Sequence, residues 1–386
     1  MKHNSLFLLV AGMLPLACSQ LDSEYKSFFA EPVEAENKID IKFDSLELQE
    51  FCPMLNSTSY ITFSTVIRDS SIYYSDYLFG TIEKFDKNLN HIASYLGHGK
   101  GPNEYDCDVI CGHYIDEKGH HFLNDGGLFY AEYDKDFNRL WQHDFSAECC
   151  ATKGSDKYDY FSRPYTQISA FEPLTSFTVR DGIAYNSVGA RGYTDTFEEY
   201  IDKKFHKQAR VISLTDLEKK EFLAPLGRRS PNDAKNSLLT DCYFSIDYAG
   251  SFFVGYMQDK NIYVYDKDFK LLYSFGQPAK RMNRQYAGLK KDQIEWDIFK
   301  NIIRSEIDNK GYYTSVNIVG DYIFRSYCTG APEDTGGLQI YEGTAMIADI
   351  TVPKWFKVAG YIAPYYYSAF IGDEENETMK IYRFKL

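Results

Sequence analysis

Three segments of this chain repeat one pattern, in which a strand-like stretch runs into a polar turn opened by aspartate and then into a second apolar stretch. The three segments are residues 84–90, 132–138 and 264–270. Their aspartates are 48 and 132 residues apart, and 132 is three times 44. A hairpin that recurs with a period near 44 residues is typical of a four-stranded propeller blade. The repeat therefore predicts a β-propeller, and no catalytic motif accompanies it.

Composition and the spacing of short apolar runs favour an all-β fold. The chain contains 33 tyrosines and 28 phenylalanines, an enrichment expected of pleated, half-buried strands. Counting strands predicts a six-bladed β-propeller of four-stranded antiparallel blades, with a seventh blade left open if residues 146–175 contain strands. The sixth blade has three C-terminal strands, and the alternating segment 38–43 is predicted to supply the fourth. Strands from both termini would then close the ring and remove exposed edges.

The first residues resemble a bacterial lipoprotein signal. Lys2 gives a short basic region, residues 6–14 form an apolar run too short to span a bilayer, and small residues lead into Cys18. The resemblance implies cleavage before Cys18 and attachment of lipid to it; an ordinary secretory signal cut nearby is the alternative. Residues 1–17 are thus predicted to be a signal peptide and 18–37 a tether, which leaves 38–386 as a single propeller domain. We expect a lipid-anchored protein of the bacterial envelope, on the outer membrane, with its periplasmic or surface side left open.

The charge of the chain limits its partners. Residues 1–17 contain one lysine and no acidic residue, so their removal changes the formal net charge from −13 to −14. A surface this acidic repels phosphate backbones and anionic lipid headgroups. We therefore expect no nucleic-acid partner, and membrane contact only through the lipid anchor.

Seven cysteines remain besides Cys18, and an odd number leaves at least one thiol unpaired if the others are oxidised. Cys107 and Cys111 have a spacing that could suit a metal ion. No second pair and no histidine cluster stands near them to complete four ligands. We expect no metal and no cofactor; a disulfide or buried thiols are the alternatives that the sequence leaves open.

The segment Leu-Gly-His-Gly-Lys-Gly-Pro-Asn-Glu-Tyr at 96–105 is similar to the glycine-rich segment between blades of NHL-like and TolB-like six-bladed propellers. These families include many lipoproteins of Bacteroidetes. The resemblance covers roughly residues 38–386 and implies the fold without implying a function. Its three glycines are expected to allow positive φ and a close approach to the shaft. A phosphate-binding loop is not expected, because no helix follows and the lysine-serine ending of a P-loop is absent.

Long connectors are predicted to gather on one face of the propeller. Residues 97–106, 146–173 and 276–310 each join the outer strand of one blade to the inner strand of the next. Within the third, apolar residues recur at helical spacing and predict a helical insertion near 289–308. Such a helix would act either as a packing cap or as a lid over a ligand pocket.

Charged and aromatic residues on these connectors are the candidates for ligand binding. Aromatic rings would stack on sugar faces and charges would fix orientation near the shaft. Glu104 has a structural alternative, since its carboxylate could accept backbone amides of its own glycine loop. The candidates are His98, Lys100, Glu104, Arg163, Tyr165, Arg281, Arg284 and Trp296.

The sequence leaves catalysis open but favours binding. It contains no nucleophile elbow, no zinc-protease motif and no dinucleotide-binding glycine pattern in a suitable context. The aspartate-rich turns lack the glycine and the distal glutamate of a calcium loop. We therefore expect a non-catalytic propeller that binds a glycan, peptide or protein partner. A hydrolase or lyase acting on polysaccharide at the shaft is the alternative, because propellers can draw catalytic residues from several blades.

Overall fold

The computed structural model describes most of the chain from residue 45 onward. The described ranges are 45–145 without 56, 61, 63 and 127; 176–188; 209–230; 241–286; 305–386 without 307, 334 and 374; and the single positions 23, 25, 28, 29, 35, 36, 38–40, 42, 43, 207, 239 and 301. No helix in this part is long and apolar enough to cross a membrane.

Six antiparallel sheets make up the described part, and they are the six blades of a propeller. After β1 (Gln49–Phe51), the first three blades use strands β2 to β13 in chain order. Blade 1 contains β2 (Ser64–Arg68), β3 (Ser71–Ser75), β4 (Thr81–Phe85) and β5 (His91–Leu96). Blade 2 contains β6 (Gly112–Ile115), β7 (His121–Asn124), β8 (Phe129–Tyr133) and β9 (Arg139–Asp144). Blade 3 contains β10 (Phe177–Arg180), β11 (Ile183–Ser187), β12 (Ile212–Asp216) and β13 (Glu221–Leu226).

The C-terminal half continues the same order. Blade 4 contains β14 (Cys242–Ile246), β15 (Phe252–Tyr256), β16 (Ile262–Tyr265) and β17 (Leu271–Phe275). Blade 5 contains β18 (Tyr312–Val319), β19 (Tyr322–Cys328), β20 (Gly336–Glu342) and β21 (Ala345–Val352). Blade 6 contains β22 (Val358–Ile362), β23 (Tyr365–Ser368), β24 (Ile371–Asp373) and β25 (Thr378–Phe384), and it is completed by β1. The prediction of six four-stranded blades is confirmed.

The strand that closes the ring is β1 and not segment 38–43, so this part of the prediction is wrong. Strand β1 pairs antiparallel with β25, with Glu50 opposite Tyr382. The earlier segment instead lies along the outer strand of blade 5, where Asp40 N donates to Met346 O at 2.9 Å. Its alternating pattern fits either sheet edge, and at β21 it covers backbone groups that would otherwise be exposed.

The repeated aspartate turns join the third and fourth strands of blades 1, 2 and 4, as the sequence predicts. In blade 1, Asp86 Oδ1 accepts the amides of Asn88 and Asn90 at 2.8 and 2.9 Å. Leu89 takes a positive φ of 67°, which turns its side chain into the core. The equivalent residues of the other two turns, Phe137 and Phe269, also have positive φ and are buried. The pattern thus encodes a turn with an inward-facing apolar residue.

The two faces of the propeller differ in the length of their connections. On one face, the turns between strands within a blade contain two to five residues, as between β2 and β3 or between β8 and β9. On the other, here called the crossover face, each outer strand leads to the next inner strand, through as many as 36 residues between β17 and β18. The turns between second and third strands also lie on the crossover face, because adjacent strands are antiparallel.

Most of the predicted helical insertion at 289–308 lies outside the described residues. The positions described there, Asn301, Ser305, Glu306 and Asp308, are helical. Lys310 N donates to Glu306 O at 2.8 Å, the spacing of an α-helical hydrogen bond. The roles of cap and lid both stay predictions.

Candidate functional site

The candidate site is the rim of the central shaft on the crossover face. The inner strands β2, β6, β10, β14, β18 and β22 surround the shaft, and all six begin at this face. Hydrogen bonds join neighbouring inner strands or the turns beside them. They include Ser64 Oγ to His113 O, Phe244 N to Ser176 Oγ, Ile318 N to Ser245 Oγ and Phe370 N to Thr65 Oγ1. Residues that directly precede the inner strands therefore occupy fixed positions around the rim.

Lys357 directly precedes β22 and is half-buried. Its carbonyl accepts the amide of Ala369 at 2.6 Å, which fixes the backbone at the start of the strand. Within the described part of the chain, its ammonium has no carboxylate partner. The protein atoms around it replace much of its hydration, and this burial lowers the pKa of the ammonium to about 8. Lys357 is thus a cation that the described protein does not neutralise.

Asp241 directly precedes β14 and is only 5% exposed. Its carbonyl accepts Met257 N at 3.3 Å, but neither carboxylate oxygen has a hydrogen-bond partner in the described structure. A buried carboxylate without partners is costly, because it loses hydration without compensation. Both oxygens are sealed from solvent, so a ligand at the rim reaches Lys357 more easily than Asp241.

Two other buried charges near this face, Asp259 and Arg325, are compensated. Asp259 is fully buried and accepts the hydroxyls of Ser230 and Tyr263 at 2.8 and 2.9 Å. Arg325 is also fully buried, donates to the carbonyls of Asp259 and Lys260, and lies 3.4 Å above the ring centre of Tyr313. These contacts join blades 4 and 5 and have a structural role.

The glycine-rich segment folds back on itself. His98 Nε2 donates to Leu78 O at 2.5 Å, and Glu104 Oε2 accepts Gly101 N at 2.7 Å. This second contact is the structural alternative that the sequence suggests for Glu104. Lys100 is exposed, and its carbonyl accepts a guanidinium hydrogen of Arg139 at 3.1 Å.

The expectation of positive φ at all three glycines of this segment needs correction. Gly97 and Gly99 have φ of 118° and 158°, but Gly101 lies outside the positive range. The carboxylate of Glu104 lies close to the last two glycines, so a side chain at either position would have to displace it. A Cβ on Gly99 would lie 2.0 Å from Glu104 Oε2, and one on Gly101 would lie 3.0 Å from the same atom.

Arg281 and Arg284 have different surroundings. Arg281 Nη1 lies 3.5 Å from Asp349 Oδ1, and that buried carboxylate also accepts the Tyr327 hydroxyl at 2.6 Å. Arg284 is exposed, and no ion pair is formed by it with any described residue. Four predicted residues lie outside the described residues: Arg163, Tyr165, Trp296 and Cys18, the predicted site of lipid attachment. The structure places the described candidates in two groups, on 97–105 and on 276–286, and ligand binding by all eight stays a prediction.

Sequence reasoning missed Lys357 and Asp241. Both are charged residues directly in front of apolar inner strands, and this position was the available signal. Strand assignment alone could not find them, because their lack of partners depends on which side chains from other blades surround them.

The spaced cysteines are free thiols. Cys107 Sγ donates to Asp125 Oδ2 at 3.6 Å, and burial followed by the charge of Asp125 raises the pKa of Cys107 to about 11. Cys111 is buried and its pKa is raised for the same two reasons. In the described ranges, no group of three or more histidine, cysteine or acidic side chains could hold a metal ion. Both thiols therefore stay protonated and unreactive at neutral pH.

Comparison with known proteins identifies the fold. No protein-family model matches this chain, and none of the curated proteins matches its sequence. A member of the DUF4221 family from Bacteroides vulgatus has a similar structure, with a TM-score of 0.59, 10% identity, and coverage of 91% of this chain and 98% of that chain. A candidate exported protein from Bacteroides fragilis is also similar, with a TM-score of 0.52, 12% identity, and coverage of 91% and 99%. At such identities the similarity shows a shared propeller fold and no more.

Proposed function

We propose that this protein is a lipid-anchored propeller of the bacterial outer membrane that binds a glycan, peptide or protein partner on its crossover face without catalysing a reaction. The finer resemblance to NHL-like and TolB-like lipoproteins, carried by residues 96–105, supports this assignment. So does the signal before Cys18. A structural neighbour described as a candidate exported protein agrees with a location outside the cytoplasm.

The observation that carries the proposal is the difference between the two faces. Connections on the opposite face contain two to five residues, whereas the crossover face has the long connectors. Loops held by a rigid scaffold are the usual place for binding residues. In blade 1, this face also exposes two neighbouring apolar side chains, Leu78 at 44% and Phe79 at 46%. Exposed apolar groups beside charged ones suit the recognition of a partner.

Site-specific photocrosslinking in cells tests the proposal. A benzophenone amino acid is placed at Phe79 on the crossover face or, as the matched control, at Tyr248 on the opposite face, which is 93% exposed. We expect a discrete crosslinked product from position 79 and none from position 248. Equal products from both positions, or a product from 248 alone, would reject the crossover face as the binding surface.

The same protein tests the catalytic alternative. Incubation with envelope or dietary polysaccharides is followed by measurement of new reducing ends and unsaturated ends. We expect neither to increase above a heat-denatured control. An increase in either kind of end that is lost when Lys357 is substituted would show that the protein cleaves polysaccharide at the shaft. It would reject the non-catalytic proposal in favour of a hydrolase or a lyase.

A further inference from the structure

Lys357 is held at the shaft rim as an uncompensated cation. Its backbone is fixed by the hydrogen bond from Ala369, and its position directly before β22 places it where the inner strand begins. Two other cations, by contrast, have carboxylate partners: Arg281 lies beside Asp349, and Lys219 lies 2.9 Å from Asp216. Lys357 has no such partner among the described side chains, although part of its surface remains accessible.

We propose that Lys357 binds an anionic group of a ligand that enters the shaft from the crossover face, and that this group is a single carboxylate. This inference rests on the proposed function and names the chemistry of its ligand. An ammonium that has lost part of its hydration gains most from an anion, because the attraction is stronger away from bulk water.

The charge of the whole protein favours a singly charged group. A chain with a formal net charge of −13 repels polyanions, and a phosphate dianion is repelled more than one carboxylate. The lowered pKa of Lys357 agrees with the absence of a compensating anion in the free protein. A ligand carboxylate would supply that anion, from either a uronic acid residue or an acidic peptide side chain.

Two matched probe series distinguish these sources of carboxylate. The first compares galactose oligosaccharides that end in one galacturonate residue with the same oligosaccharides ending in galactose, and the second compares blocked tetrapeptides that contain one glutamate with their glutamine counterparts. Binding to purified full-length protein is measured by calorimetry and thermal shift. We expect one acidic probe to bind and its neutral counterpart to bind at least about tenfold more weakly, because the neutral group cannot form a charge-assisted hydrogen bond with the ammonium.

Three variants make the test specific to this side chain. Lys357→Met should weaken binding of the acidic probe about tenfold or more, and Lys357→Arg should restore most of it. Lys267→Met removes an exposed lysine from a turn on the opposite face and should leave binding unchanged. Lys357→Met should also melt at a higher temperature than the unliganded wild type, because the variant no longer keeps a desolvated charge. This increase would show that the variant is folded.

Several outcomes would overturn the inference. These are equal binding of acidic and neutral probes, unchanged affinity in Lys357→Met, and no binding by either series. Binding of neutral sugars together with crosslinking at position 79 would reject the carboxylate site while leaving the proposed function intact. Absence of crosslinking at position 79 would reject the proposed function itself.

Discussion

At the scale of single residues, two buried aspartates of blade 4 have opposite surroundings. Asp259 accepts hydroxyl hydrogens from Ser230 and Tyr263, whereas the oxygens of Asp241 have no hydrogen-bond partner in the described structure. We therefore expect Asp259 to stabilise the fold and Asp241 to destabilise it. The sequence distinguishes the two poorly, because both aspartates lie close to a strand-like run, Asp241 before β14 and Asp259 after β15.

Replacing each aspartate with asparagine should therefore change stability in opposite directions. Asp241→Asn is expected to raise the free energy of unfolding by about 1–3 kcal/mol, because it removes an uncompensated buried charge. Asp259→Asn is expected to lower it by about 1–2 kcal/mol, because one acceptor of two hydroxyls is lost. Urea unfolding followed by fluorescence measures both values. A decrease in both variants would contradict the unfavourable role of Asp241.

A buried histidine pair should make the fold sensitive to acid. His113 Nε2 lies 2.9 Å from His121 Nδ1, and Ser75 Oγ lies 3.0 Å from the other nitrogen of His113. Burial, followed by the charge of Lys84, lowers the pKa of His121 to about 4, and burial followed by His121 lowers that of His113. The unfolded chain then binds more protons than the folded one below the ordinary histidine pKa of about 6.5. The contribution of the two neutral imidazoles to folding stability is therefore complete above pH 6.5 and is lost as the pH falls towards 4.

We expect His121 alone to reduce the free energy of unfolding by about 3 kcal/mol between pH 6.5 and pH 4. His121→Asn removes the titrating ring while leaving a polar group near His113, so it should flatten this part of the pH profile. His98→Asn, which changes an exposed histidine, should retain the wild-type slope. Urea unfolding at half-unit pH intervals makes the comparison. Parallel profiles for wild type and His121→Asn would contradict the effect of burial.

At the scale of elements, local chemistry explains which strands the sequence could predict. The turns at Asp86, Asp134 and Asp266 are recognisable because aspartate accepts backbone amides two and four residues later. Strand β1 was missed because it has only three residues, Gln49–Phe51, and lacks an alternating pattern. Its pairing with β25 is long-range, and no local preference of the chain specifies such a contact.

Two substitutions of an apolar residue by aspartate compare how much β1 and segment 38–43 each contribute to the stability of the closed ring. Phe51 packs against the core between blades 6 and 1 and lies beneath the guanidinium of Arg383. Phe51→Asp should therefore cost about 2 kcal/mol or more. Ile39 is 58% exposed, so Ile39→Asp should change stability by less than about 0.5 kcal/mol. Thermal and urea unfolding measure both, and a larger loss for Ile39→Asp would return ring closure to segment 38–43.

At the scale of the whole molecule, the period of the repeat predicted the four-stranded blade, and the strand count predicted the number of blades and the position of the long connectors. The repeat could not predict the candidate site, because the rim of the shaft is assembled from residues far apart in the sequence. The charge of the rim also depends on which of these residues lack an oppositely charged partner in the folded protein. His98 and Glu104 have residue types that suit ligand binding, yet both have hydrogen-bond partners nearby: Leu78 in a turn of blade 1 for His98, and Gly101 in the same connector for Glu104. Lys357 was found only when its surroundings were known.

The proposed attachment to a membrane depends on one atom, the sulfur of Cys18. The apolar run at 6–14 is too short to span a bilayer, so a processed chain without lipid has no other predicted means of anchoring. Cys18→Ala should move the protein from the membrane to the soluble fraction, whereas Cys52→Ala, which changes an exposed free cysteine, should leave it in the membrane. Fractionation with mass spectrometry of the N-terminal peptide measures location and acylation together. Membrane retention of a Cys18→Ala chain that has lost residues 1–17 would contradict lipid anchoring, since neither the apolar run nor the lipid would then remain to hold it.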